Sequence, residues 1–220
     1  MASLAQRRQA RRLLELAASQ NPPQTQRLLL AAAIAAVFET NPVVVGGTAE
    51  EHWLSQESQA TDLDLCPRPS NQDIVELERL GFKRDGRHWV HDTLIHGVEF
   101  PGASDDITRT VDVPISGAGG ARVRMIGLED LYLDRLRQST ASETARHSQR
   151  LDSTVMLLVV RDLTLDRDYI STQIAAVAVN EPMVGQAMKL MQRRAETRAR
   201  RILAERRARE IKGEDREADR

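Results

Sequence analysis

Cysteine is almost missing from this chain: Cys66 stands alone among 220 residues. That excludes an internal disulfide and, with no cysteine or well-spaced histidine neighbours, a thiolate zinc site, so Cys66 is expected to be a small buried hydrophobe. Aromatic residues make up only 3%, too few for a surface built on base stacking, and Trp53 and Trp89 are expected to serve the core. Long apolar runs are also lacking. The apolar stretch at residues 28–37, with Phe38 after it, is too short to cross a bilayer, so no membrane partner is expected. The arginine-bearing N-terminus has neither the apolar stretch nor the small-residue cleavage site of a secretory leader, and a cytoplasmic location is the expectation. There is no internal repeat and no long low-complexity linker, only a flexible loop at 116–121 (SGAGGA).

What is present describes a globular chain with 41% hydrophobic and 29% charged residues, long enough for one core domain and a smaller helical appendage. The net charge of -1 conceals a division. The first twenty residues carry four arginines against one glutamate, and residues 189–220 carry twelve basic groups against seven acidic ones. The middle is therefore acidic, which suits a cation there and a polyanion at the ends; a plainly solvated arginine-rich helix is the simpler alternative.

Hydrophobic periodicity predicts helices over residues 4–19 and 24–38, broken by Asn21, Pro22 and Pro23. Val43, Val44 and Val45 form a short buried strand closed by Gly46 and Gly47, and 48–60 is a polar helix or loop. Thr61 to Leu65 alternates as a half-buried strand should. Ser70 with Asp73 signals a helix start, and Gly81 its stop. Strands are predicted at 87–90, 94–100, 108–113 and 122–126, then helices at 128–136, 144–160, 166–179 with Asp166 as N-cap, and 182–211. The fold expected is α+β: a mixed sheet flanked by helices, with a helical C-terminal part. Its divisions are N-terminal helices (1–40), a core (41–136), a helical region (137–212) and a frayed tail (213–220).

One constellation carries chemistry. In TDLDL the side chains of Asp62 and Asp64 share one face of a strand while Leu63 and Leu65 anchor the other. Two crowded carboxylates repel each other unless a hard cation neutralises them, and Mg²⁺ is the usual answer. Gly46 and Gly47, lacking side chains, let the backbone approach a triphosphate, with N–H groups at the following helix start facing its oxygens.

VVVGG followed by TDLDL resembles the signature of the DNA polymerase β-like nucleotidyltransferase superfamily, and GGTA, HGVEFPG and RVRMIGLEDLYLDRL resemble its bacterial AbiEii-toxin and related branches. The resemblance spans Val43 to Leu136, with a fourteen-residue spacer between Gly47 and Asp62 that is long for the pattern. It implies a nucleotidyltransferase-like sheet and transfer of NMP from an NTP to a hydroxyl through a two-ion Mg²⁺ site. Position by position, it places the metal carboxylates on Asp62 and Asp64, and the third, the natural base, on Glu99, with Asp112 as rival. It also implies that Gly46, Gly47 and Thr48 contact phosphates and that Arg124 or Arg135 offsets charge on the leaving pyrophosphate. The arginine-rich ends favour an RNA acceptor such as tRNA, with a small-molecule acceptor open, and the toxin relatives imply a protein partner encoded nearby.

His88, His91 and His96 lie within nine residues but lack zinc spacing, and His88 and His91 differ in strand parity. Two other classes of function stay open. One is a catalytically silent nucleotidyltransferase fold acting as the binding module of a toxin–antitoxin or defence system. The other is a nucleic-acid-binding protein that works through its terminal helices.

Overall fold

The computed structural model describes residues 1–19, 23–54, 60–102, 107–140, 145–160 and 164–218. They form two compact units, Met1–Gly127 and Leu128–Arg220. The expected break at Asn21 and Pro22 lies outside the described residues, as does Thr144.

In the first unit, Ser3 caps α1 (Leu4–Ala18) in a capping box with Gln6. The helix packs on α2 (Pro23–Ala35), whose Leu29, Leu30, Ala33 and Ile34 are all buried. The remaining elements are β1 (Val43–Val45), α3 (Gly46–Leu54), β2 (Asp62–Cys66), α4 (Asn71–Arg79), β3 (Lys83–Asp85), β4 (His88–Val90), β5 (Gly97–Glu99), β6 (Thr110–Pro114) and β7 (Arg122–Ile126). The seven strands form one sheet in the order β3-β4-β5-β2-β1-β7-β6. Pairing is antiparallel except where β1 meets β7 and β2 meets β5, so the sheet is mixed and the chain α+β, as expected.

Register explains the core. Trp89 faces Val98 and Val98 faces Leu63; Leu65 faces Val44, and Val44 faces Met125. These apolar side chains therefore share one side of the sheet, all buried, and α2 packs on β2 and β7. The alternation in TDLDL puts Asp62 and Asp64 on the opposite side.

Several strand limits differ from the sequence prediction. β5 begins only at Gly97, because Ile95 is exposed and His96 turns inward to polar partners. β6 is shifted to Thr110–Pro114. β3 was not predicted: its three residues are all polar and exposed, and only a hairpin to β4 through Gly86, at φ +58°, makes them a strand. α4 begins and ends as predicted, with Ser70 and Asp73 in a reciprocal capping box and Gly81 following at φ +98°. Cys66 and Trp89 are buried, as expected.

An internal ion pair joins α1 to α4. Arg7 grips the buried Glu76 carboxylate with Nε at 2.8 Å and Nη2 at 2.9 Å, and Arg79 adds Nη1 at 2.9 Å. The bond from Arg7, more than any other interaction, holds the Glu76 carboxyl down to about 2.

The second unit is helical: α5 (Leu128–Gln138), α6 (Ala145–Val160), α7 (Arg167–Asn180) and α8 (Pro182–Ala218). Asp166 caps α7, accepting from the Tyr169 N–H at 3.0 Å, as predicted. Met188, Met191, Ala195 and Ala199 form the buried stripe of α8, which packs on α6 and α7. Gly185 is needed where α7 and α8 meet, since a Cβ there would lie 2.4 Å from that of Ala178. α8 runs to Ala218, beyond the predicted limit at Ile211, where Lys212, Glu214, Arg216, Glu217 and Ala218 are good helix formers that outweigh Gly213. Among the described residues no helix is long and apolar enough to cross a membrane.

Candidate metal centre

The sequence of β2 dictates the first half of the site. Leu63 and Leu65 are fully buried, and Asp62 and Asp64 emerge half-buried on the other side. β1 ends opposite the middle of β2, with Val45 paired to Asp64, so Gly46 arrives beside that aspartate. Gly46 has φ +64°, and a Cβ on it would lie 1.9 Å from Asp64 Oδ2. Both conformation and space therefore require glycine here.

Strand pairing supplies the second half. β5 lies parallel to β2 with Glu99 level with Asp64 and Gly97 level with Asp62. The rival carboxylate, Asp112, is on the same side of the sheet but on β6, separated from β2 by β1 and β7. Three strand spacings of about 4.8 Å put it roughly 14 Å away. Of the two, Glu99 stands next to the aspartates.

β4 then brings in a residue that sequence reasoning missed as a partner of these acids. His88 pairs with Glu99 across the β4–β5 hairpin. Ligand atoms of Asp62, His88 and Glu99 all lie within 4.8 Å of one another, close enough to hold one metal ion. Arg87 reaches the same spot, its Nε donating to His88 Nε2 at 3.1 Å and lying 3.4 Å from Glu99 Oε2. The available signal was hairpin register: a histidine opening one strand and a glutamate closing the next face each other. The three clustered histidines do not converge: His91 bonds with the Leu80 carbonyl oxygen, and His96 with that of Thr61.

Behind the centre lies a buried polar network that the sequence did not reveal. Arg27 of α2 is ion-paired with Glu51 of α3, both almost wholly buried. Arg27 Nη1 also donates to the Ala60 carbonyl oxygen at 2.9 Å and meets His96 Nε2 at 3.4 Å. Since Nε2 faces a guanidinium donor, His96 Nδ1 carries the proton and donates to the Thr61 carbonyl oxygen at 3.0 Å. The network thus fixes the residues just before Asp62 and just before Gly97, and with them the spacing of β2 and β5.

The other sequence candidates have definite places. Thr48 is fully buried, and its hydroxyl donates to the Asp62 carbonyl oxygen at 3.3 Å, which makes it a brace for β2. Gly47 packs against Ala60. Arg124 is exposed on β7, on the Asp64 side of the sheet, with Nε donating to Thr110 Oγ1 at 2.9 Å. Arg135 belongs to the second unit, where it is buried and bonds Asp134 at 2.7 Å.

No protein-family model matches the chain. No curated protein matches it either. Among solved structures, the chain is similar to an antigenic nucleotidyltransferase-like protein from Paracoccidioides brasiliensis, at 11% identity and a TM-score of 0.47, over 73% of this chain and 90% of that one.

Proposed function

We propose that the first unit is a divalent-cation-dependent nucleotidyltransferase that moves a nucleoside monophosphate from an NTP onto a hydroxyl. Asp62, Asp64 and Glu99 are its metal-holding carboxylates. The observation that carries this reading is the parallel pairing of β5 on β2, which sets Glu99 beside Asp64 just where Gly46 turns bare backbone toward the Asp64 carboxylate. The residues suit a cation. The Asp62, His88 and Glu99 donors cluster, and His88 Nε2 already turns its lone pair toward the Arg87 guanidinium.

A bound divalent cation would neutralise phosphate oxygens and the charge that develops on the leaving pyrophosphate. The chain's own groups divide the rest of the work. N–H groups of Gly46 and Gly47, at the start of α3, face phosphate oxygens where no side chain intervenes. Glu99 accepts the proton of the attacking hydroxyl. Arg122 and Arg124, both exposed on the Asp64 side of β7, balance the pyrophosphate. The Arg27 network keeps β2 and β5 in place, so the carboxylates need not reorganise during the reaction. Exposed arginines of α8 beyond Ile202 favour a polyanionic acceptor, an RNA hydroxyl.

The test is transfer of label from each NTP in turn to total RNA, in Mg²⁺ or Mn²⁺, by wild type and by Asp62→Ala/Asp64→Ala. Transfer by wild type that vanishes in the variant, and survives in Asp112→Asn, is the expected result. An absence of transfer together with no metal-dependent NTP binding by calorimetry would refute the proposal.

A further inference from the structure

We infer that His88 is an imidazole ligand in the cation site of Asp62 and Glu99, and that this mixed nitrogen–oxygen set makes the site prefer a transition-metal dication over Mg²⁺. The inference rests on the cation site proposed above and adds the chemistry of its occupant.

Sheet geometry makes the contact possible. β4 and β2 flank β5, and His88 is level with Asp64, so His88 and Asp62 are two strand spacings and two residues apart, about 12 Å between backbones. An ordinary side chain on the intervening strand would fill that gap. The residue level with Asp62 on β5 is Gly97, and the His88 ring lies over it, with Nδ1 3.6 Å from where a Cβ would stand. A methyl there would sit in ordinary contact with the ring, and the small residue leaves room for an imidazole from β4 to lean toward the acids of β2.

Arg87 marks the position of positive charge. Its Nε sits between His88 Nε2 and the Glu99 carboxylate, so the imidazole already turns a lone pair toward a cationic group shared with an acid. The arginine side chain is 71% exposed and is free to swing into solvent. A metal ion can take over both contacts without moving a strand.

Donor chemistry then decides the ion. Mg²⁺ demands near-ideal octahedral oxygen ligation and gives up its waters reluctantly. Imidazole adds affinity for first-row transition metals, whose order rises from Mn²⁺ toward Cu²⁺. Mn²⁺ is the weakest of that series and keeps the carboxylate and phosphate tolerance that NTP chemistry needs, so it is the most demanding probe of the preference.

The experiment is Mn²⁺ titration of the full chain followed by electron paramagnetic resonance, with Mg²⁺ added as competitor. Pulsed spectra of the bound Mn²⁺ should show ¹⁴N modulation from a directly bonded imidazole in wild type and none in His88→Gln. Mn²⁺ affinity should fall about tenfold in that variant, while Mg²⁺ affinity changes less than about threefold. Histidine-selective ¹⁵N labelling of wild type gives the same readout with no substitution, which covers a variant that folds poorly. Bound Mn²⁺ without nitrogen modulation, or modulation that survives His88→Gln, overturns the inference. The two proposals fail separately. Nitrogen modulation without label transfer leaves the ligand assignment standing and removes the transferase reading, whereas transfer without modulation does the reverse.

Discussion

Replacing Gly46 by alanine tests the closest approach in the site. Two costs apply. The first is conformational: at φ +64° a Cβ meets its own backbone, a penalty of about 1–2 kcal/mol. The second is a collision, since the new methyl would lie 1.9 Å from Asp64 Oδ2, 2.7 Å from its Cγ and 2.9 Å from its Cβ. Rotating the carboxylate cannot relieve contact with Cβ, so side chain and strand must both shift, for roughly 1–3 kcal/mol more. Gly86 is the natural control: it has φ +58° and nothing within 4 Å, so Gly86→Ala carries the first cost alone. At about 2–4 °C per kcal/mol for a chain of this size, Gly46→Ala should melt roughly 2–12 °C below Gly86→Ala. Mn²⁺ affinity by calorimetric titration should be unchanged in Gly86→Ala and at least about tenfold weaker in Gly46→Ala, because a displaced carboxylate no longer serves the ion. Equal melting temperatures and equal affinities in the two variants would refute both the close contact and the role of Asp64.

Other consequences follow from the surrounding structure. Glu76 has its carboxyl lowered from 4.5 to about 2, so its contribution is complete above the unfolded value and is lost as pH falls through the folded one. The full shift is worth about 3 kcal/mol, reduced to about 1–2 because the arginine partners are open to solvent. Urea melts of wild type and Glu76→Gln should therefore differ by that amount at pH 7 and converge toward pH 2. Arg27→Met strands the buried Glu51 and should cost about 3–5 kcal/mol in chemical denaturation, with much of the loss recovered in Arg27→Met/Glu51→Leu; no recovery would show that the pair matters for reasons other than its charge. In the second unit the Tyr132 hydroxyl is buried with no partner among the described residues, and burial pushes its ionisation up. Tyr132→Phe should raise stability by about 1 kcal/mol in the same melts, and a loss of that size would point to a hydrogen bond the hydroxyl makes in solution.

The alternation in TDLDL was legible because a strand's period of two depends on nothing beyond the strand itself, and Leu63 and Leu65 are indeed buried beneath two half-exposed aspartates. The same holds for the Ser70–Asp73 and Asp166 caps, which are contacts over three residues. β3 and the start of β5 were not legible, since each is defined by its pairing: an exposed polar triplet becomes a strand only beside β4. Glu99 was favoured over Asp112, but periodicity could not separate them, for a similar reason. Both occupy strands with apolar neighbours, and periodicity says nothing about which strand lies next to β2.

The sequence by itself determined the local grammar of this protein: its helices, the Gly46–Gly47 end of β1, the acidic face of β2 and the absence of a bilayer-length apolar run. Only the tertiary structure decided the company those residues keep. It put Glu99 beside Asp64, Asp112 on a distant strand, His88 across Gly97 toward Asp62, and Arg27 beneath them with Glu51 and His96. Local pattern follows from backbone geometry within a few residues, whereas a metal centre requires side chains from separate strands to converge. That convergence is set by sheet order and register, which arise when the chain folds.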